Sequence, residues 1–143
     1  LELLPKFSTR TIIRLTMVKG LNMVNSEGYA KLVEKAQPKF LELKGYTWVG
    51  ESQKRLPREA MPRLEELVKF GREIADRVGY ILKEVDEKSR VVMFVRDEET
   101  WEWSLDLVKK WRERERQLDS VWKGRIKDFR LRKATLPKDL RGL

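Results

Sequence analysis

Thr11-Ile-Ile-Arg-Leu-Thr-Met-Val18 and Lys39-Phe-Leu-Glu-Leu-Lys-Gly-Tyr46 decide the fold. Both stretches alternate and are rich in strand-forming residues, so both read as β-strands. Between them Ser26 is placed to cap a helix running from Glu27 to about Gln37, with Ala30, Val33 and Ala36 at helical spacing and Pro38 as the stop. Strand, helix and strand in so short a span make a βαβ unit with two parallel neighbouring strands.

Alternation also assigns the faces. If Ile13, Leu15 and Met17 pack under the helix, Arg14, Thr16 and Val18 turn to the other side, and Leu41 and Leu43 pack while Glu42, Lys44 and Tyr46 join Arg14. Two readings of that second face stand: a barrel interior or sheet face that holds an anionic ligand such as a carboxylate or phosphate, and a solvated face of surface ion pairs.

Further along, residues 47–61 form a polar, basic connection without periodicity, of a length that is usually functional or disordered. Pro62 is expected at the first helical position of a second helix, with Leu64, Leu67, Val68, Ala75 and Val78 as its apolar stripe and Gly79 as its end. Tyr80–Val85 and Arg90–Val95 read as a strand pair joined by Asp86-Glu-Lys-Ser89. A long helix is expected from Glu98 to about Lys123, carrying Trp101, Leu105, Val108, Trp111, Leu118 and Trp122 as core or interface residues. Gly124–Leu143 is expected to have no fixed structure alone. The fold class is thus α/β, with a βαβ unit, a terminal strand pair and a long basic C-terminal helix. Residues 1–96 carry the strands, and 97–143 form a basic helix and tail.

The 143 residues suffice for one sizeable core. Of the net charge of +9, residues 109–143 supply +8, with 13 basic against 5 acidic side chains. Cysteine and histidine are both absent, which removes thiolate nucleophiles, disulfides, Ser-His-Asp triads and the usual ligands of zinc or an iron–sulfur cluster from these residues. No apolar run approaches a membrane span and no leader precedes the first strand, so a cytoplasmic protein without membrane association is expected. The first residue is Leu, which is expected of a piece of a longer polypeptide.

Ligands of parallel α/β folds gather where the loops converge beyond the strands' carboxyl ends. Lys19 and Lys44 stand there as candidates for stabilising charge or, if desolvated, for attacking a carbonyl as an amine. Gly45-x-x-x-x-Gly50 is not a phosphate loop, because Glu51 occupies the place of the required lysine, and no dinucleotide fingerprint occurs. Glu65-Glu66 and Glu98-Glu99 read as solvated helix faces. Lys54, Arg55 and Arg58, with Arg125, Arg130, Arg132 and Lys133 in the tail, make an electrostatic footprint for RNA, and Tyr46 and Trp48 could stack on an unpaired base.

Several runs together resemble a known family: Thr9-Arg-Thr-Ile-Ile-Arg-Leu-Thr-Met-Val-Lys-Gly-Leu-Asn-Met23, Tyr29-Ala-Lys-Leu32, Lys44-Gly-Tyr-Thr-Trp-Val-Gly-Glu-Ser52, Arg55-Leu56, Met61-Pro62 and Ser89-Arg-Val-Val92. The chain looks like the C-terminal part of the archaeal tRNA 4-demethylwyosine synthases, radical S-adenosylmethionine enzymes of wybutosine biosynthesis. The resemblance covers about residues 5–96.

It implies a partial, incomplete (βα) barrel with a [4Fe–4S] cluster and S-adenosylmethionine, residues 1–96 being the C-terminal part of that barrel and 97–143 an RNA-binding arm. The implied reaction is a lyase-type condensation of pyruvate-derived carbons with N1-methylguanosine at position 37 of tRNA-Phe. By the resemblance Lys19 and Lys44 border the site as catalytic candidates, Arg14, Thr16, Asn22 and Tyr46 contact cofactor, and Trp48, Ser52, Lys54, Arg55 and Arg58 lie nearest the tRNA. The implied partners are tRNA and a cysteine-bearing N-terminal segment or another chain. The family's CxxxCxxC motif has no counterpart here, so these residues alone are expected to be inactive. The family pattern Met-Pro-Ser-His is replaced by Met61-Pro-Arg-Leu64, and Lys-Ala-Tyr by Lys44-Gly-Tyr46. Two other readings are a non-catalytic basic RNA-binding module and an interaction protein that oligomerises through its long helix.

Overall fold

The computed structural model describes residue 1 and residues 3–134, with side chains as far as Lys123. Four strands form one sheet: β1 (Ile12–Met17), β2 (Phe40–Gly45), β3 (Ile81–Asp86) and β4 (Val91–Val95), in the spatial order β1-β2-β4-β3. β1 and β2 are parallel and linked through helix α1 (Ser26–Ala36), while β4 pairs antiparallel with both β2 and β3. β3 therefore runs in the direction of β1 and β2, and the β3–β4 turn lies at the same end of the sheet as the carboxyl ends of β1 and β2.

Helices α1 and α2 (Leu64–Val78) cover one face. The core beneath them joins Met17, Leu41, Leu43, Val92 and Phe94 of the sheet to Val33 of α1 and to Leu67, Phe70 and Ile74 of α2. Gly71 lets α2 approach β4, for a Cβ there would stand 2.6 Å from the Phe94 ring. Tyr80, at the start of β3, closes the opposite end by donating its hydroxyl to the Pro38 carbonyl at 2.6 Å.

Both helix starts differ from the sequence expectation. Asn25, not Ser26, caps α1: it adopts φ +56° and its Oδ1 accepts from the Gly28 N–H at 3.0 Å. Pro62 lies before the cap of α2, not inside its first turn. The cap is Arg63, whose N–H donates to the Glu66 carboxylate at 2.8 Å, the reach-back half of a capping box. Residues 47–61 are ordered as two short 3-10 helices, Gly50–Lys54 and Arg58–Ala60.

Helix α3 runs from Glu98 to Ala134, so residues 124–134, expected to lack fixed structure, continue the helix; residues 135–143 lie outside the described residues. A helix of this length has no glycine or proline stop before 134 except Gly124, and an interior glycine costs only about 1 kcal/mol. By its internal contacts the chain forms two units, Leu1–Glu102 and Trp103–Leu143. Trp111 and Trp122 are 66% and 59% exposed and belong to no core formed by the described residues. Among the described residues no helix is long and apolar enough to cross a membrane.

Candidate functional site

The helix-free face of the sheet carries the residues that alternation assigned to it. The register places Arg14, Glu42, Met93 and Glu84 in one row across the four strands, and Thr16, Lys44, Val91 and Asp86 in the next. Arg14, Glu42, Lys44, Glu84, Asp86 and Met93 line one cavity of about 260 Å³. At the far end of the face the Arg10 guanidinium lies 4.5 Å over the buried Phe40 ring. Ser89 of the β3–β4 turn also lines the cavity, which thus reaches the end where the loops gather.

Charge in this face is mixed but not fully spent. Arg14 Nε stands 2.6 Å from Glu42 Oε1, with the carboxylate side chain only 9% exposed. Asp86 is occupied by the turn it starts: hydrogen bonds from Ser89 hold its carboxyl below the usual range. Lys44 is half-buried and has no ion-pair partner among the described residues. A half-buried lysine that lines a cavity is a place for an anionic group, a carboxylate or a phosphate.

Lys19 is differently placed. Its ammonium is ion-paired with Glu66, and Lys19 is the foremost cause that the Glu66 carboxyl sits below its ordinary value, the Arg63 N–H adding to the effect. Lys19 is tied to Glu66, so of the two candidates Lys44 alone offers a charge uncommitted among the described residues. Glu66 is accordingly no solvated-face residue: it ties the β1–α1 loop to the start of α2.

Asn22, expected at the cofactor, has its amide committed to the loop. Its Oδ1 accepts from the Val18 N–H at 2.7 Å and its Nδ2 donates to the Thr16 carbonyl at 2.9 Å. Tyr46 is 8% exposed, packed with Val18 and Ala60 in a second small core that Trp48, Leu56 and Met61 border, and its hydroxyl has no partner. Its buried ring offers no face to a base. Trp48 is half-buried and held by its indole N–H, which donates to the Leu56 carbonyl at 2.9 Å. Arg90, from the β3–β4 turn, reaches Thr47 Oγ1 at 3.2 Å and Met61 sulfur at 3.5 Å, fastening the same loop.

On the outside of that loop Arg55 and Arg58 are exposed, whereas Lys54 is ion-paired with Glu51 at 3.0 Å and the Ser52 hydroxyl donates to the Val49 carbonyl at 2.6 Å. Arg125, Arg130, Arg132 and Lys133 lie on α3 beyond the described side chains.

Sequence reasoning missed Glu84, Asp86, Met93, Glu66 and Arg90. The row partners on β3 are shifted by a bulge between Leu82 and Glu84, which breaks the alternation that would have revealed them. As for an iron–sulfur cluster, the chain has no cysteine, and no group of acidic side chains among the described residues could hold a metal. These residues do not fit a cluster.

Comparison with known proteins bears on the fold and the family. Residues 35–96 match the family model described as Wyosine base formation. The S-adenosyl-L-methionine-dependent tRNA 4-demethylwyosine synthase of Pyrococcus horikoshii is 43% identical over 99 residues, 68% of this chain and 29% of that protein. The corresponding protein of Methanocaldococcus jannaschii is 38% identical over 88 residues, 62% of this chain and 28% of that one. Among solved structures, TYW1 with a lysine-pyruvate adduct bound superposes with a TM-score of 0.59 at 30% identity, over 66% of this chain and 30% of that chain. Archaeal TYW1 superposes with a TM-score of 0.53 at 26% identity, over 66% and 29%. Alike in sequence and in fold over its strand-bearing part, the chain resembles part of the tRNA 4-demethylwyosine synthases, carries their wyosine-base-formation region at residues 35–96, and spans under a third of the length of the curated relatives it matches.

Proposed function

We propose that this chain supplies the closing, C-terminal strands of a barrel that forms 4-demethylwyosine on guanosine 37 of tRNA-Phe from N1-methylguanosine and pyruvate, as a cytoplasmic lyase. The observation that supports this best is the helix-free sheet face, where Arg14, Glu42 and Lys44 stand together in register in a chain similar to these synthases.

In this reading the Lys44 ammonium meets a carboxylate of the substrate or cofactor. Arg14 and Thr16 flank it on β1, and Glu42 fixes the direction of the Arg14 guanidinium. Asn22 and Glu66 act at one remove by shaping the β1–α1 loop that carries Lys19. Residues 47–58 lie at the same end of the sheet and present Arg55 and Arg58 to the tRNA. S-adenosylmethionine would supply radical chemistry only with a cluster held by cysteines that this chain lacks, so catalysis requires a cysteine-bearing partner segment.

The test is reconstitution. The chain is combined anaerobically with the cluster-loaded, cysteine-bearing remainder of the Pyrococcus horikoshii relative, with S-adenosylmethionine, pyruvate and tRNA carrying N1-methylguanosine. Product is expected from the pair, none from the chain alone, and a strong loss in Lys44→Met but not in Lys31→Met, which lies on the outer surface of α1. A cluster-loaded pair that binds tRNA but forms no product overturns the reading.

A further inference from the structure

The half-buried cations of this chain mostly meet a carboxylate or backbone carbonyls. Lys83 pairs with Glu98 at 2.6 Å, Arg96 pairs with Asp97 at 3.0 Å, and Lys39 donates to the Phe7 and Thr9 carbonyls at 2.9 Å and 2.6 Å. Lys44, which lines the sheet-face cavity, and Arg90 are the exceptions. Arg90 is half-buried and no carboxylate among the described residues lies within ion-pair distance of it. Its guanidinium meets two neutral groups, the Met61 sulfur at 3.5 Å and Thr47 Oγ1 at 3.2 Å, and a thioether is a weak acceptor. A guanidinium partly withdrawn from water bonds more strongly to an oxyanion than to either.

Arg90 is turned away from the Lys44 cavity. Lys44 stands opposite Val91 on the helix-free face, and the next two residues, Gly45 and Arg90, face the other way. The Gly45 N–H donates to the Arg90 carbonyl at 2.9 Å, and a Cβ on Gly45 would lie 3.5 Å from the Arg90 Cβ and 3.4 Å from Pro62. The guanidinium thus ends between the start of β4 and residues 47–61. Thr47 there is exposed. Its Oγ1 accepts from Arg90 Nη2, and its own O–H has no acceptor among the described residues. Guanidinium and hydroxyl donors therefore meet at one exposed point. Alongside, residues 54–63 carry Lys54, Arg55, Arg58 and Arg63 against one acid, Glu59.

We propose that Arg90 and Thr47 form a phosphate-binding site separate from the Lys44 cavity. The guanidinium fork takes phosphate oxygens, the Thr47 hydroxyl donates to the same group, and Met61 holds the fork from behind. The basic segment alongside favours phosphate over a lone carboxylate, because clustered cations draw a polyanion or a dianion. An RNA backbone and a free phosphate group present the same oxygens to these donors. The site uses no residue of the cavity and needs no cysteine-bearing partner, so it stands or falls apart from the proposed reaction.

The test is a nuclear magnetic resonance titration of the isotope-labelled full chain with inorganic phosphate and, separately, with a short RNA hairpin. Ionic strength is held constant with sodium chloride. The Arg90 Nε–H and Thr47 amide signals are expected to shift saturably. Arg90→Met should weaken phosphate binding about tenfold or more, and Thr47→Val about threefold. Arg90 also fastens its loop, so Thr47→Val, at an exposed position and with the guanidinium kept, is the second variant. An unchanged Trp48 indole signal shows that the loop is held. A hairpin that displaces phosphate at these signals assigns the site to an RNA backbone, and one that leaves them in place assigns it to a free phosphate group. No saturable shift with either probe, the same shift with sodium chloride alone, or parent affinity in Thr47→Val overturns the proposal.

Discussion

Arg14 and Glu42 stand opposite each other in the parallel register of β1 and β2, joined at 2.6 Å, yet they share their exposure unequally: 56% for the arginine side chain and 9% for the glutamate. Glu42 Oε1 is shut off from solvent and makes no well-aligned hydrogen bond, so the guanidinium is its compensation.

That inequality predicts an unequal response to substitution. Arg14→Met leaves an enclosed carboxylate without its cation and is expected to cost about 1–3 kcal/mol. Glu42→Gln leaves a guanidinium that water already reaches and is expected to cost under about 1 kcal/mol. Urea denaturation of both variants and of the double variant checks this. The double variant should be more stable than Arg14→Met alone, and the opposite order would sink the account.

The Lys19–Glu66 pair predicts a pH signature. Lys19 first, and the Arg63 N–H second, hold the folded Glu66 carboxyl below its unfolded value of 4.5. The stabilisation is therefore fully present above that value and is lost as pH falls through the lower, folded value. Glu66→Gln should be less stable than the parent at neutral pH, with the gap closing only in acid below the ordinary carboxylate range. A gap independent of pH would show that the substitution acts by some other route.

Tyr80 titrates in the opposite direction. Burial pushes its phenol from 10.0 up to about 12. A raised acid pKa favours the neutral form on folding, so this contribution is whole below pH 10 and is lost as pH rises from 10 toward 12. Folding stability in that window should fall more steeply in the parent than in Tyr80→Phe. At neutral pH the variant should also lose about 1 kcal/mol with the hydrogen bond to the Pro38 carbonyl. Parallel alkaline slopes would contradict the burial argument.

Gly71→Ala reverses the usual rule for helices. In an exposed helix the change stabilises by up to about 1 kcal/mol, but here the new methyl would lie 2.6 Å and 2.8 Å from two Phe94 ring atoms. Overpacking of this kind costs about 1–3 kcal/mol, so thermal unfolding should move down. Adding Phe94→Leu to Gly71→Ala should recover part of the loss. An unaffected single variant would mean that α2 lies farther from β4 than described.

Which of these residues the sequence exposed follows from the range of the forces involved. The strands β1 and β2 and their two faces were legible because alternation is local, and it brought Arg14, Glu42 and Lys44 to one side correctly. Helix starts were misread by one or two residues, since Asn25 and Arg63 become caps through contacts to Gly28 and Glu66 that propensity does not encode. Phe70 and Ile74 were absent from the expected α2 stripe although they share its face. Glu66 as the partner of Lys19 lies 47 residues away in sequence, and Glu84 sits behind a bulge. Tyr46 and Trp48 looked like stacking residues because an aromatic in a basic loop gives no sign of the small core it closes.

The same loop supplies a prediction about nucleic acid. Arg55 and Arg58 are exposed, while the Lys54 charge is partly compensated by Glu51 at 3.0 Å. If the loop meets tRNA phosphates in the assembled enzyme, Arg55→Ala and Arg58→Ala should each weaken tRNA binding and flatten its dependence on the logarithm of salt concentration by about 1 unit of slope. Lys54→Ala should do less, because removing it also frees an acid. Trp48→Ala should lower the stability of the loop, as its indole N–H holds the Leu56 carbonyl, with a salt slope unchanged from the parent. Filter binding across a salt series separates the two kinds of effect. Arginine variants whose slope matches the parent would remove residues 50–58 from the tRNA contact.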